Sequence, residues 1–162
     1  MTEMDAKCCD DRCLSAAVTS ACPGTGTPGI SVDVQTVKAL LTTAALRRLE
    51  ADAYFFCPSP DCEVVYFTHR GQTFTADDLR VGVWQKQAPG NRTICYCFGE
   101  NESDIRAEIA SGGRSLAIER VRAHIQAGRC ACEIRNPRGT CCLGDVTAAV
   151  KRLVAMVETV AS

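Results

Sequence analysis

A chain of 162 residues with 46% hydrophobic content is long enough for one domain or two small ones and can bury a modest core. Its formal net charge of -1, with basic and acidic residues interspersed, supplies no field that would draw it to nucleic acid or to an anionic membrane. It contains no apolar run of the ~18 residues a membrane helix needs, and Glu3, Asp5, Lys7, Asp10, Asp11 and Arg12 leave no room for a signal-peptide core, so the expectation is a cytoplasmic protein without membrane insertion. In that reducing compartment the twelve cysteines read as metal ligands rather than as a disulfide framework.

Residues 1–29 are rich in Cys, Asp, Thr, Gly and Pro without apolar periodicity, which predicts a Cys-rich flexible arm. Gly24-Thr25-Gly26-Thr27-Pro28-Gly29 matches a dinucleotide fingerprint in letters only, since no strand precedes it and a proline stands where the helix should begin. Val37, Leu40, Leu41 and Ala44, continued by Leu46 and Leu49, recur at helical spacing and predict a short helix or two. Tyr54-Phe55-Phe56 and Val64-Val65-Tyr66-Phe67 are aromatic and β-branched runs on either side of Cys57-Pro58-Ser59-Pro60-Asp61-Cys62, which predicts a hairpin that holds two thiols close together. Phe74 to Trp84, where Leu79, Val81 and Val83 alternate, predicts another short strand.

Ala88-Pro89-Gly90-Asn91 breaks both kinds of periodicity and is the expected domain boundary. Beyond it the pattern turns helical. Asn101 with Asp104 forms a cap ahead of Ile105 and Ile109, and Gly112-Gly113 ends that helix. Leu116, Ile118, Val121 and Ile125 mark a second helix that Gly128 terminates, and Asp145 is the expected cap of a third carrying Val146, Val150, Leu153, Val154 and Val157. The expected organisation is therefore α+β: an arm over 1–29, a zinc-binding half with a small β-hairpin over 30–90, and a helical cluster-binding half over 91–162.

In the C-terminal half, Cys95-Tyr96-Cys97 and then Cys132 and Cys142 offer four thiolates in two clamps, as a 2Fe-2S cluster requires; zinc is the alternative that four thiolates also suit. Asn136-Pro137-Arg138-Gly139 is a turn signal that folds the second clamp back on itself. The anionic cluster would find opposing charge in Arg129, Arg135 and Arg138 and in the amides at the start of the last helix. No Ser-His-Asp set, carboxylate pair or phosphate loop is recognisable, and the two histidines, His69 and His124, give cysteine nucleophiles little base, so binding and electron transfer are expected rather than enzyme catalysis.

Cys95-Tyr96-Cys97, the Asn136-Pro137-x-Gly139-x-Cys141-Cys142 turn, Tyr54 to Cys57 with Cys62-Glu63-Val64-Val65-Tyr66-Phe67, and Arg80-Val81-Gly82-Val83 together resemble the N-terminal, zinc- and 2Fe-2S-binding domain of CopZ-type copper metallochaperones. The helical half is also similar to bacterioferritin-associated ferredoxin domains. The resemblance implies iron ligation by Cys95, Cys97, Cys132 and Cys142, with Cys141 as a neighbour and possible substitute and Cys130 surplus to the set. It implies zinc ligation by Cys57 and Cys62 together with Cys22, whose family knuckle Cys-Pro-x-Cys-Gly here reads Cys22-Pro23-Gly24-Thr25-Gly26, with threonine in place of the second cysteine. The fourth zinc ligand would then be Cys13, with Cys8, Cys9 and His69 as alternatives, or the site is three-coordinate and exchangeable; Cys8, Cys9 and Cys13 also suit a soft ion such as Cu(I).

The family's full-length members add a copper domain bearing Met-x-Cys-x-x-Cys, a motif this sequence does not contain. The implied function is a cytoplasmic 2Fe-2S and zinc protein of heavy-metal, copper above all, handling, which reduces Cu(II) to Cu(I) or binds metal for a copper chaperone or an exporting ATPase. The competing expectation is a zinc-only interaction module without a redox role.

Overall fold

The computed structural model describes residues 20–161. Their elements, in chain order, are strand β1 (Ile30–Val32), helices α1 (Val34–Leu40) and α2 (Thr43–Leu46), strands β2 (Tyr54–Phe56), β3 (Val64–Phe67), β4 (Thr73–Thr75), β5 (Thr93–Cys95) and β6 (Glu100–Asn101), and helices α3 (Glu102–Gly112), α4 (Ala117–Gln126), α5 (Cys132–Arg135) and α6 (Leu143–Val160). The mixture is α+β, with a small antiparallel sheet. Two compact units result: a sheet unit ending at Ala88 that also takes in Cys132–Thr140, and a helical unit of Pro89–Ala131 with Cys141 onwards. The divisions thus fall after Ala88 and on either side of the segment that holds α5.

In the sheet unit the four strands lie in the order β1-β2-β3-β4, all antiparallel. β1, which lacks the alternation that would mark it in the sequence, pairs Ile30 with Phe56 and Val32 with Tyr54. Asp33 then caps α1, its carboxylate accepting from the Gln35 amide at 2.7 Å, and Thr42 caps α2 by accepting from the Ala45 amide at 3.3 Å. Leu41 between them is extended, so the apolar run from Val37 to Leu46 breaks into two helices. Alternation along β2 sends Tyr54 and Phe56 into a core with Val37, Leu40, Leu41 and Ala45, and sends Phe55 to the opposite face beside Phe67. A bulge between Val64 and Tyr66 turns both Val65 and Tyr66 into the first core.

The strand expected over Phe74 to Trp84 is shorter than the alternation suggests. β4 stops at Thr75, because Asp78 accepts from the Thr75 amide at 2.9 Å and winds Ala76–Asp78 into a 3-10 turn. The next residues then hydrogen-bond to helix ends instead of a strand, with the Arg80 amide donating to the Leu40 carbonyl at 2.8 Å.

The Asn136-Pro137-Arg138-Gly139 turn forms as its residues predict. Asn136 is buried; its side chain donates to the Thr140 carbonyl at 2.8 Å and accepts from the Arg138 amide at 3.1 Å, while Gly139 adopts φ 71°. The turn is fixed to the sheet unit by Tyr66, whose hydroxyl donates to the Pro137 carbonyl at 2.5 Å, and by Thr36, whose hydroxyl donates to the Glu133 carbonyl.

In the helical unit, β5 and β6 form a two-stranded ribbon around Tyr96-Cys97-Phe98-Gly99, where Gly99 has φ 71° and its amide donates to the Cys95 carbonyl at 2.8 Å. Asn101 caps α3 by accepting from the Asp104 amide at 3.0 Å, and Gly113 closes it in the left-handed region at φ 76°. Both α3 and α4 pack on α6. Asp145 is not the cap of α6: that position belongs to Cys142, whose carbonyl accepts from the Val146 amide at 2.9 Å, and Asp145 lies in the first turn, where its charge complements the helix dipole.

Glu102, 1% exposed, is the charged anchor of this unit. It accepts from Arg92 at 2.5 Å, from Arg152 at 2.8 Å and from the Gly90 amide at 3.0 Å, so the linker, the ribbon edge and α6 meet on one carboxylate. Hydrogen bonding from Arg92, opposed by burial and helped by the Gly90 and Arg92 amides, lowers its pKa from 4.5 to about 2. A depressed carboxylate stabilises the fold fully above its unfolded pKa, and that stabilisation is lost as pH falls through the folded one, a window from about 4.5 down to about 2. Glu102→Gln should therefore cost on the order of 3 kcal/mol at neutral pH, and urea titrations at pH 7 and pH 3 should show a smaller loss for the variant than for the parent protein.

Candidate metal centre

Cys22 reaches the sheet's outer face from a short loop. An Ala21–Pro28 bridge pinches the loop, the Cys22 amide donates to the Thr27 carbonyl at 2.8 Å, and the Gly26 amide donates to the Cys22 carbonyl at 2.7 Å. Gly26 has φ 72°, the left-handed conformation such a return needs. Cys57 follows β2 and prolongs its ladder through an amide bond to the Val65 carbonyl at 2.9 Å. Two residues beyond Phe55, its side chain falls on the same face. Cys62 closes the turn that Cys57 opens. Lys86 holds that turn from outside, donating to the Ser59 carbonyl at 2.7 Å and to the Cys62 carbonyl at 3.0 Å.

The result is a set of three buried thiols whose sulfurs all lie within 4.8 Å of one another. Cys22 Sγ and Cys62 Sγ are 3.7 Å apart, too far for a disulfide. A regular tetrahedron with metal–sulfur bonds of about 2.3 Å has edges of about 3.8 Å, so the spacing fits a tetrahedral thiolate-bound ion. Burial opposes ionisation of Cys22, but the amides of Gly24 and Thr25, with the Cys57 and Cys62 thiols, outweigh it and hold that thiol below its ordinary range. Burial pushes the Cys57 thiol up, against the Ser59 backbone and the Lys86 charge. The chemistry this donor set supports is capture of a thiophilic cation that replaces the thiol protons.

Other expected residues lie elsewhere. His69, an alternative fourth ligand, is outside this group: its Nδ1 is 3.0 Å from Ser20 Oγ and its ring stands edge-on to Phe55, 5.1 Å between centroids. Cys8, Cys9 and Cys13 lie outside the described residues. In the helical unit, Cys95 is buried at the end of β5, Cys97 lies in the ribbon turn, and Cys142 is buried at the start of α6, which packs against β5. The Ala131 amide donates to Cys97 Sγ at 3.2 Å, the kind of bond that stabilises a thiolate. Cys132, buried at the start of α5, groups with the sheet unit. Cys141 lines a groove of about 560 Å³ with Arg122 and Lys151 at the start of α6.

Comparison with known proteins bears on the first centre directly. Residues 19–80 match the model of a family described as a zinc binding domain, and this span contains Cys22, Cys57 and Cys62. Among solved structures, the N-terminal domain of CopZ from Archaeoglobus fulgidus is similar at 27% identity and a TM-score of 0.66, over 80% of this chain and 96% of that one. The fold is CopZ-like. A search of curated proteins gave no match.

Two contributors to the Cys22–Cys57–Cys62 centre escape a reading of the sequence. Lys86 lies 24 residues beyond the carbonyl of Cys62 that it holds, with no local signal. Gly24 could have been suspected from its place inside the knuckle pattern. A Cβ there would lie 2.8 Å from Cys62 Sγ and 3.8 Å from Cys22 Sγ, so the loop can approach the sulfurs only without a side chain. Gly24→Ala should leave the sheet unit folded but weaken zinc binding by about tenfold or more, measured by competition with a chromogenic chelator.

Proposed function

We propose that this chain is a metal-binding protein of heavy-metal handling in the cytoplasm, with zinc held by Cys22, Cys57 and Cys62 and a 2Fe-2S cluster held by Cys95, Cys97, Cys132 and Cys142. The observation that carries the reading is the convergence of three buried thiols, their sulfurs within 4.8 Å of one another and two of them 3.7 Å apart, inside the span that matches a zinc-binding domain. Copper is the metal favoured, because the similar solved structure is the N-terminal domain of a protein named CopZ and because thiolates prefer soft ions.

Several features support the iron-sulfur part. Cys95 and Cys142 are shielded from water, Cys97 accepts the Ala131 amide, and the amide end of the 18-residue helix α6 begins at Cys142. Such a cluster supplies one electron at a time, which is what conversion of Cu(II) to Cu(I) consumes. The protein's own residues would hold and shield the group and would leave its exposed side to a copper chaperone or an exporting ATPase. Among the described residues no helix is long and apolar enough to cross a membrane.

Anaerobically purified protein should contain zinc together with two irons and two sulfides per chain, absorb visible light and give a paramagnetic signal on one-electron reduction. Ala at Cys95, Cys97, Cys132 or Cys142 should remove most of the colour, whereas Cys57→Ser should remove zinc and destabilise the sheet unit. A colourless protein that binds only zinc after reconstitution would leave the interaction-module reading. Reduced protein mixed with Cu(II) and a Cu(I)-specific chelator should lose its paramagnetic signal in step with Cu(I) formed, also in a variant lacking Cys8, Cys9 and Cys13.

A further inference from the structure

The loop that carries Cys22 has the shape of a two-cysteine knuckle but supplies one sulfur. Its hydrogen bonds from the Cys22 amide to Thr27 and from the Gly26 amide to Cys22 bring Thr25 to the centre's rim, with Oγ1 4.0 Å from Cys57 Sγ. The Thr25 hydroxyl donates to Thr27 Oγ1 at 3.0 Å. It also accepts from the Thr27 amide at 3.4 Å, and with its proton on Thr27 the oxygen keeps a second lone pair for an ion held among the sulfurs. Gly24, Thr25 and Gly26 are all exposed, and a Cβ at Gly26 would meet nothing within 4 Å, so the loop leaves this side of the rim open to solvent.

Charge points the same way. Three thiolates and a divalent ion sum to one negative charge, and the Lys86 ammonium, which acts on Cys57 and binds the carbonyls of Ser59 and Cys62, offsets it. A fourth thiolate would leave a second negative charge on a face packed with Phe55 and Phe67, where burial penalises it. A neutral oxygen would not.

We infer that the fourth corner of the Cys22–Cys57–Cys62 centre is a neutral oxygen, that of Thr25 or of a water Thr25 holds, and that this corner is where the ion is exchanged. The inference rests on the zinc reading above and adds the kinetic behaviour of that site. A neutral hydroxyl or water binds zinc more weakly than thiolate, so it is the ligand displaced first. The entering group is a thiolate, from a small thiol or a cysteine of an acceptor protein. It forms a new metal–sulfur bond as the metal–oxygen bond breaks, with no change of oxidation state. The centre then acts as a donor and acceptor of thiophilic ions rather than as a closed structural site.

The test compares zinc release to a chromogenic chelator, and the spectrum of the Co(II)-substituted protein, in the full chain and three variants. Thr25→Cys should slow zinc release at least about tenfold and raise the thiolate-to-cobalt charge-transfer intensity by about a third, as three thiolates become four. Thr25→Val, which keeps the size and removes the oxygen, should release zinc several-fold faster. A variant with Cys8, Cys9 and Cys13 all changed to Ser should match the parent in both measurements. A loss of about a quarter of the charge-transfer intensity in that triple variant, or equal release rates for the parent, Thr25→Cys and Thr25→Val, would overturn the inference while leaving zinc at the centre. Failure of the parent chain to bind zinc, or zinc retained by Cys57→Ser, would instead remove the reading beneath it.

Discussion

The sheet unit is organised around three sulfurs that share one small volume. Cys22, Cys57 and Cys62 come from a loop, a strand end and a turn, and all their sulfurs lie within 4.8 Å of one another. As thiolates they would repel, by about 1 kcal/mol per pair at ~4 Å in water and by several times that at the lower dielectric of a protein surface. A cation between them reverses the sign of the interaction and ties the three segments together. The Lys86 ammonium and the Gly24 and Thr25 amides act in the same direction. Metal binding and folding of this face are therefore coupled, as they are wherever a preformed thiolate site does not survive unfolding.

This coupling is possible because the sheet has two different faces. Tyr54 and Phe56 lie with the aliphatic residues of α1 and α2, a conventional core that needs no ion. Phe55, Cys57 and Phe67 lie on the other face, where the two stacked aromatic rings, 5.6 Å between centroids, form an apolar floor beside the sulfurs. A strand's period of two assigns successive residues to the two roles, and the bulge in β3 adjusts the balance by turning Val65 and Tyr66 to the same side. Loss of the ion should thus be felt first on the face of Phe55 and Phe67.

The helical unit uses charge differently. Glu102 is buried but satisfied by two guanidinium groups and two amides, and Arg120 bridges Glu100 and Glu108 at 2.7 Å each. These networks fix the ribbon β5–β6 against α3, α4 and α6, and the ribbon carries Cys95 and Cys97. Phe98, next in the chain, stacks on His124 of α4 with 4.0 Å between centroids, so the Cys-Tyr-Cys-Phe segment is held on its outer side as well.

Local order was legible wherever neighbouring residues decide it. The hairpin strands follow from two aromatic and β-branched runs, the ends of α3 from Asn101 and Gly113, the turn at Asn136 from its Asn-Pro-Arg-Gly signal, and the closeness of Cys57 and Cys62 from the turn between them. Asp145 misled because an acidic residue is equally at home at a cap or in the first turn, and only the backbone bond from Val146 to Cys142 distinguishes them. What tertiary structure alone decided is each meeting of residues far apart in the chain: β1 on β2, α5 with the sheet unit, Lys86 on the Cys62 carbonyl, Gly24 against Cys62 Sγ, and Thr25 at the rim of the centre. A sequence specifies which donors exist and how they lie relative to their neighbours; which of them share a coordination sphere depends on the packing of distant segments, and no local pattern encodes that.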